Sequence, residues 1–127
     1  MKLKEAKLAR EKAFVPYSNF KVGASIKLKD GTIIHGANIE NMSYGLTICA
    51  ERSALFSLIS QGYNPNDIES ITIIGDTKDP ISPCGACRQV MFELMPKTSK
   101  IYLANLKGDI KETNINELLP YGFDFDE

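Results

Sequence analysis

The sequence of 127 residues predicts an α/β fold, a three-layer α/β/α sandwich with a mixed five-stranded sheet between helical layers. Two strand–helix–strand units follow one another and predict parallel pairing, with the helices packed on the sheet. The turn signal Asp30-Gly31 predicts an antiparallel hairpin. The linker over residues 106–109 is too short for a crossover helix, so the last two strands are expected to pair antiparallel.

The first half of the chain is expected to form a helix, a hairpin and a loop. Small and apolar residues recur at helical spacing from Leu3 to Phe14, and Pro16 ends the helix. Alternating residues from Val22 to Leu28 predict a strand with one buried face, and Thr32 to Ala37 returns as its partner. Residues 38–48 are rich in Asn, Ser and Gly, which is typical of a loop that carries binding groups.

The second half alternates helices with strands. Its predicted elements are helices from Cys49 to Gln61 and from Cys84 to Met95, strands over Glu69 to Gly75, Lys100 to Asn105 and Ile110 to Thr113, and a short last helix capped by Asn114. Gly62 and Pro96 stop the two long helices. The exposed turns of the first of these helices are expected to be Ala, Ser and Leu, which favours close self-association.

Bulk properties indicate one domain over residues 1–127 with an ordinary hydrophobic fraction of 43%. The net charge of −1 gives no attraction to polyanions, so no nucleic-acid polymer is expected as a partner. No segment reads as a signal peptide or a membrane span, so we expect no membrane association. Three cysteines do not suggest a disulfide framework, and reduced thiols in the cytoplasm are the expectation.

All three cysteines fall in two short pieces, Cys49-Ala50-Glu51 and the run that holds Cys84 and Cys87. Three thiolates suit a zinc ion whose open fourth position binds water, and helix starts lower the pKa of thiols. Glu51 is placed to move a proton from such a water. A structural zinc site normally has a fourth ligand, but the only histidine, His35, is expected at the surface. A redox Cys-x-x-Cys would not need Cys49.

These motifs resemble the zinc-dependent nucleoside deaminases. Cys-Ala-Glu-Arg at 49–52 and Pro-Cys-Gly-Ala-Cys-Arg-Gln at 83–89 are similar to the small homotetrameric cytidine deaminases of the three-cysteine type, and so are residues 16–24, 38–41 and 117–120. The resemblance covers nearly the whole chain. It implies one Zn²⁺ per chain, and deamination of cytidine and 2′-deoxycytidine to the uridines with release of ammonia, in pyrimidine salvage. It also implies a homotetramer whose active sites are completed by neighbouring subunits.

The resemblance assigns roles around the reacting atoms. Glu51 is the proton shuttle, although by itself it suits a helix start as a simple carboxylate. Arg52 donates hydrogen bonds to ligand sulfurs, which offsets the excess negative charge of three thiolates. The N–H of Ala50 binds the pyrimidine oxygen, and the carbonyl of Ser82 accepts from the leaving amine. Arg88 is either a solvated helix charge or part of the site, and Gln89 has no assigned role.

Other residues are expected to bind the nucleoside. Asn38 and Glu40 alternate in extended chain and can face one ligand, and by resemblance they bind the sugar. Phe20 would be core by default, but in its context it resembles the aromatic that stacks on the base. Phe123 from a neighbouring subunit is expected to close the site, with Phe125 as the alternative.

Two further interpretations remain open. The first is a deaminase of a modified cytosine nucleoside, such as an aminoacylnucleoside antibiotic of the blasticidin-S kind. The second is a non-catalytic zinc module for protein binding, which needs neither Glu51 nor the sugar-binding pair Asn38 and Glu40. Editing of RNA or DNA shares the metal motif, but the near-neutral charge argues against a polymer.

Overall fold

A computed structural model describes residues 2–122 of the chain. The helices and strands in these residues are α1 (Lys2–Arg10), β1 (Val22–Leu28), β2 (Ile33–Ala37), α2 (Ala50–Ser60), β3 (Ile68–Gly75), α3 (Gly85–Leu94), β4 (Lys100–Asn105), β5 (Ile110–Thr113) and α4 (Ile115–Leu118). Single 3₁₀ turns lie at Tyr44–Leu46 and Pro65–Asp67. Across residues 2–122, every helix falls short of the length and apolar character that a membrane span requires.

The five strands form one mixed sheet in the order β2-β1-β3-β4-β5. β3 and β4 pair in parallel, and the β1–β2 and β4–β5 pairs are antiparallel, which confirms the predicted fold class. Parallel pairing of the first strand–helix–strand unit is wrong, because β1 lies between β2 and β3 and pairs antiparallel with β3. The prediction of one buried face for β1 is also wrong. This central strand is buried along nearly its whole length, since helices cover both of its faces.

Two glycines mark where helices approach the two faces of the sheet. A Cβ at Gly23 in β1 would lie 2.3 Å from the carbonyl oxygen of Ala6 in α1. A Cβ at Gly36 in β2 would lie 2.3 Å from the backbone nitrogen of Ala54 in α2. Gly36 lies opposite Ala24, the chain neighbour of Gly23, so the two glycines face opposite sides. α1 therefore covers one face and α2 the other.

The main core lies on the α2 side of the sheet. It joins the sheet to α2, α3 and α4 through side chains that include Ile26, Ile71, Ile73, Ile101, Leu55, Leu58, Met91 and Ile115. A smaller cluster of Ala6, Ile74 and Ala104 lies under α1. Helices therefore occupy both faces, which accounts for the three layers.

The first helix ends earlier than predicted. It stops at Arg10 rather than Phe14, and residues 11–12 form a turn. The backbone N–H of Phe14 donates to the carbonyl of Asn38 at 3.0 Å, and its own carbonyl accepts from Glu40 N at 2.8 Å. A helical Phe14 could not make this pairing with a distant segment, so tertiary contact overrides the local pattern.

The connections bring two helix starts to the same edge of the sheet. α2 follows β2 after a loop, and α3 follows β3 after a loop. β2 and β3 run in the same direction because each is antiparallel to β1. Both helices therefore begin beyond the carboxyl ends of their strands, which is where α/β sheets usually bind ligands.

Candidate active site

The three thiols meet at these two helix starts. Cys49 is the N-cap of α2, Cys84 is the N-cap of α3, and Cys87 lies in the first turn of α3. The Sγ atoms of Cys49 and Cys84 are 3.7 Å apart, and those of Cys84 and Cys87 are 3.3 Å apart. All three sulfur atoms lie within 4.8 Å of one another. The loops before α2 and α3 thus bring Cys49 close to Cys84 and Cys87, although more than 30 residues separate them in the sequence.

This sulfur triangle fits one zinc ion. Zn–S bonds of about 2.3 Å in tetrahedral geometry put sulfur atoms about 3.8 Å apart, close to the spacing found here. His35 is not a candidate fourth ligand, because its Nε2 lies 2.8 Å from Glu5 Oε1 of α1, on the opposite face of the sheet. Among residues 2–122, Cys and His therefore supply three ligands, the number typical of a site with an open position.

The thiols differ in acidity. The pKa of Cys49 is lowered to about 5, chiefly by the hydrogen bond from Cys87 and then by hydrogen bonds from Arg52 and Cys84. The pKa of Cys87 is raised by its hydrogen bond to Cys49 and by burial. A metal ion takes the place of the thiol protons, because only thiolates are ligands. The hydrogen bonds to Cys49 thus favour its thiolate, the form that binds a metal.

The carboxyl group of Glu51 is buried beside the thiols. The side chain is only 4% exposed, and burial raises its pKa, with a further increase from the charge of Cys49. Residues two apart within a helix point about 200° apart. Cys49 escapes this constraint because it precedes the helix in extended conformation, with φ −73° and ψ 158°. The side chains of Cys49 and Glu51 can therefore both face the same metal site.

Arg52 lies behind the same sulfur atoms. Its Nη2 is 3.6 Å from Cys49 Sγ. Its Nε is buried and has no hydrogen-bond partner among the described residues. Because metal binding would turn all three thiols into thiolates, it would add acceptor capacity beside this donor. The positive charge of Arg52 thus lies beside the site where the three thiolates would bind the metal.

A pocket of about 340 Å³ opens above the thiols, within the range of roughly 300–1,000 Å³ that small-molecule sites occupy. Its lining includes most of the residues singled out from the sequence, namely Phe20, Asn38, Glu40, Cys49, Ala50, Glu51, Ser82 and Cys84. Cys87 and Arg52 are outside this lining. Phe123 and Phe125 lie outside the described residues.

Asn38 and Glu40 also hold the loop that carries Phe20. Asn38 Oδ1 accepts from Val22 N at 2.9 Å, and its Nδ2 donates to the carbonyl of Phe20 at 2.8 Å. Glu40 accepts from the N–H groups of Tyr17 and Ser18 at 3.0 and 3.1 Å, and Ser18 Oγ donates to its second oxygen. These bonds, with the Ser18 hydroxyl first, lower the pKa of Glu40.

Several residues of this site were not predicted from the sequence. Ser18, Tyr44 and Thr47 line the pocket. Ser18 stands in the run that carries the resemblance, so its place beside Phe20 was available as a signal. Tyr44 and Thr47 lie in the loop before α2, where composition indicates binding but does not single out a residue.

The fold and this site together define a metal-dependent enzyme of the α/β class. Residues 2–104 match the family described as the cytidine and deoxycytidylate deaminase zinc-binding region. The chain belongs to this family, and the zinc prediction is thereby confirmed.

Individual relatives agree with this assignment. A cytidine deaminase from Halalkalibacterium halodurans is 58% identical over 123 residues, which span 97% of this chain and 92% of the relative. The crystal structure of a cytidine deaminase from Burkholderia pseudomallei superposes with a TM-score of 0.93 at 52% identity, over 96% of each chain. A blasticidin-S deaminase from Bacillus cereus is 33% identical over 93% of this chain and 89% of its own.

Proposed function

We propose that the chain, as a single domain over residues 1–127, deaminates cytidine and 2′-deoxycytidine by hydrolysis. One water is consumed, and uridine or 2′-deoxyuridine and ammonia are formed. The observation that carries the proposal is the pocket of nucleoside-compatible size with Cys49, Cys84 and the buried Glu51 in its wall, and with the thiol of Cys87 beside them. The names of the relatives support the substrate class.

Cys49, Cys84 and Cys87 would hold the zinc ion. When bound, zinc supplies Lewis acidity, which makes water a nucleophile near neutral pH. The chain's own contribution is to bring three sulfur atoms together at two helix starts, where the partial positive charge of each helix favours thiolates. Of the three residues that would hold the metal, Cys49 and Cys84 also line the pocket.

Glu51 would carry the protons of the reaction. It accepts one from the attacking water and gives it to ring N3. It then accepts the proton that remains on the same oxygen, now the hydroxyl on C4, and gives it to the amine as the C4–N bond breaks and the C4 carbonyl forms. Burial raises its pKa, which brings the carboxyl closer to the working pH and lets it serve as base and then as acid. The low exposure of the group also limits competing exchange of protons with solvent.

The nucleoside would be held by the loops above the thiols. Phe20 is 38% exposed in the pocket wall and offers a ring for stacking on the base. The Ala50 N–H, in the first turn of α2, has no intrahelical partner and would bind the pyrimidine oxygen. Asn38 and Glu40 would bind ribose hydroxyls with the acceptor capacity that remains beside their loop contacts, and Ser82 would offer its carbonyl to the leaving amine.

Replacing Arg52 with Ala is expected to slow deamination by about 10- to 100-fold with zinc still bound at neutral pH. Arg52 helps to lower the pKa of Cys49, so its removal raises that pKa. Because the thiolate is the ligand, the pH below which zinc and activity are lost should rise. Zinc content and rate measured across a pH series provide the check, with Arg52→Lys as the charge-keeping control. Unchanged profiles would contradict the role.

An antibiotic nucleoside is the second candidate substrate. It is supported by the 33% identity to the blasticidin-S deaminase, which is well below the 58% identity to a cytidine deaminase. Product formation from cytidine and from blasticidin S, compared at equal enzyme concentration, separates the two. We expect cytidine to react far faster. A non-catalytic zinc module would leave both substrates unchanged.

We further propose a homotetramer in which Phe123 closes the site of a neighbouring subunit. Large apolar side chains exposed in the loop before α2 support self-association, with Met42 83% and Tyr44 88% exposed. On α2 the exposed apolar residues are Phe56 and Ile59, not the Ala and Leu expected from the sequence, because those residues are in the core. The number four comes from the family resemblance alone.

Replacing Phe123 with Ala is expected to raise KM for cytidine more than it changes stability, because the lost ring would cover the base and exclude water. Phe125→Ala is the matched control and should have the smaller effect. Light scattering of the parental protein should give four times the chain mass. A fully active monomer at assay concentration would contradict both the assembly and the shared site.

We place the enzyme in the cytoplasm, in pyrimidine salvage. Three free cysteines at a metal site are consistent with a reducing compartment. The reaction class fits salvage, since it returns cytosine nucleosides to the uridine pool.

A further inference from the structure

The side chain of Arg88 connects two distant parts of the chain. Its Nε donates to the carbonyl of Pro83 at 3.0 Å, and its Nη2 donates to Ser82 Oγ at 2.8 Å. Its Nη1 donates to the carbonyl of Leu118 at 2.9 Å. One guanidinium thus joins the segment before α3 to the last turn of α4. A solvated surface charge would not show three such contacts.

The bonds to residues 82 and 83 hold the chain directly before Cys84. The peptide group between Pro83 and Cys84 is planar, so holding the carbonyl oxygen of Pro83 holds the plane that leads into Cys84. Pro83 has no N–H with which to anchor itself. The backbone N–H of Ile81 donates to Ala104 at 3.3 Å, but this bond lies three residues before the thiol. The side chain of Arg88 therefore anchors the two residues directly before Cys84, and the Arg88 backbone N–H donates to the carbonyl of Cys84 itself at 3.0 Å.

The bond to Leu118 attaches the Arg88 side chain to α4, which is held in the core. α4 has only four residues, too few for a helix to be stable alone. It is held through the buried side chain of Ile115 in the main core. The carbonyl of Leu118 lies in the last turn, where carbonyls lack intrahelical partners and a cation is favourable. Arg88 thus connects α4 to the segment that leads into Cys84.

We propose that Arg88 is a positioning residue, which holds Cys84 where zinc requires it by anchoring residues 82–84 to the end of α4. This inference rests on the proposed function in that the metal is zinc. Lysine cannot substitute fully, because a single ammonium does not reproduce the planar fork that reaches three acceptors.

The direct test is the rate at which a chelator removes zinc at neutral pH. Arg88→Ala should release zinc about 10- to 100-fold faster than the parental protein, the usual cost of losing a residue that orients a ligand. Arg88→Lys should fall between the two. Lys111→Ala, which removes an exposed positive charge on β5, is the matched control and should match the parental rate.

Hydrogen exchange distinguishes anchoring from a general loss of stability. In Arg88→Ala, amides of residues 84–88 and of residues 115–119 should both exchange faster, while β1 and β3 stay protected. Ser82→Ala should accelerate zinc release less, and adding it to Arg88→Ala should have no further effect. If Arg88→Ala does not fold, Arg88→Lys and Ser82→Ala decide by the same two measurements.

Two results would overturn the proposal. One is a parental rate of zinc release in folded Arg88→Ala or, if that variant does not fold, in both Arg88→Lys and Ser82→Ala. The other is faster exchange at only one of the two segments. If the parental protein binds zinc but does not deaminate cytidine, the proposed function fails, and zinc release still decides the role of Arg88.

Discussion

Glu51→Gln is expected to keep the fold and the zinc but to lower deamination by at least about 10²- to 10⁴-fold, the usual worth of general acid–base catalysis. The amide has nearly the same shape as the carboxyl group but cannot accept and return a proton. Because the same group would serve at N3 and at the leaving amine, the loss should fall on kcat more than on KM. Steady-state rates on zinc-loaded protein provide the measurement.

Glu93→Gln is a suitable control for this variant. Glu93 is an exposed glutamate of α3, so the same chemical change is made outside the pocket. It should deaminate at the parental rate. A Glu51→Gln protein that is equally active would reduce Glu51 to a carboxylate that merely favours a helix start.

Cys84→Ala is expected to lose most of its zinc and, with it, the activity. Two thiols cannot hold the ion as three do, and metal binding is coupled to folding, so thermal stability should fall as well. Zinc content by atomic absorption and a melting curve on the same sample measure both effects. Ala86→Ser, a change at an exposed position between the two ligands of α3, should keep zinc. Full zinc occupancy in Cys84→Ala would contradict the ligand set.

The strands were predictable because their signals are local. Val22–Leu28, Lys100–Asn105 and Ile110–Thr113 have the bounds expected from alternation and from turn residues. The place of β1 between β2 and β3 was not predictable, because strand order depends on pairing between residues far apart in sequence. The early end of α1 has the same origin, since Phe14 pairs with residues 38–40.

The residues of the site also fall into those with a local sequence signal and those whose contacts depend on distant parts of the chain. Spacing and residue type pointed to the thiols and to Glu51, since few chemistries need three cysteines and one adjacent acid. The contacts of Arg88 could not be read from the sequence, because its partner Leu118 is 30 residues away. Asn38 and Glu40 were expected to face a ligand, and their bonds to the loop of Phe20 depend on a backbone turn that no pattern reveals.

We have proposed that this chain deaminates cytidine with the help of zinc. The most direct measurement follows the absorbance of cytidine after addition of purified protein, with zinc assayed on the same sample. We predict loss of the cytidine spectrum with one zinc per chain, disappearance of activity after chelation, and its return when zinc is restored. An unchanged spectrum with protein that holds one zinc per chain would contradict the claim.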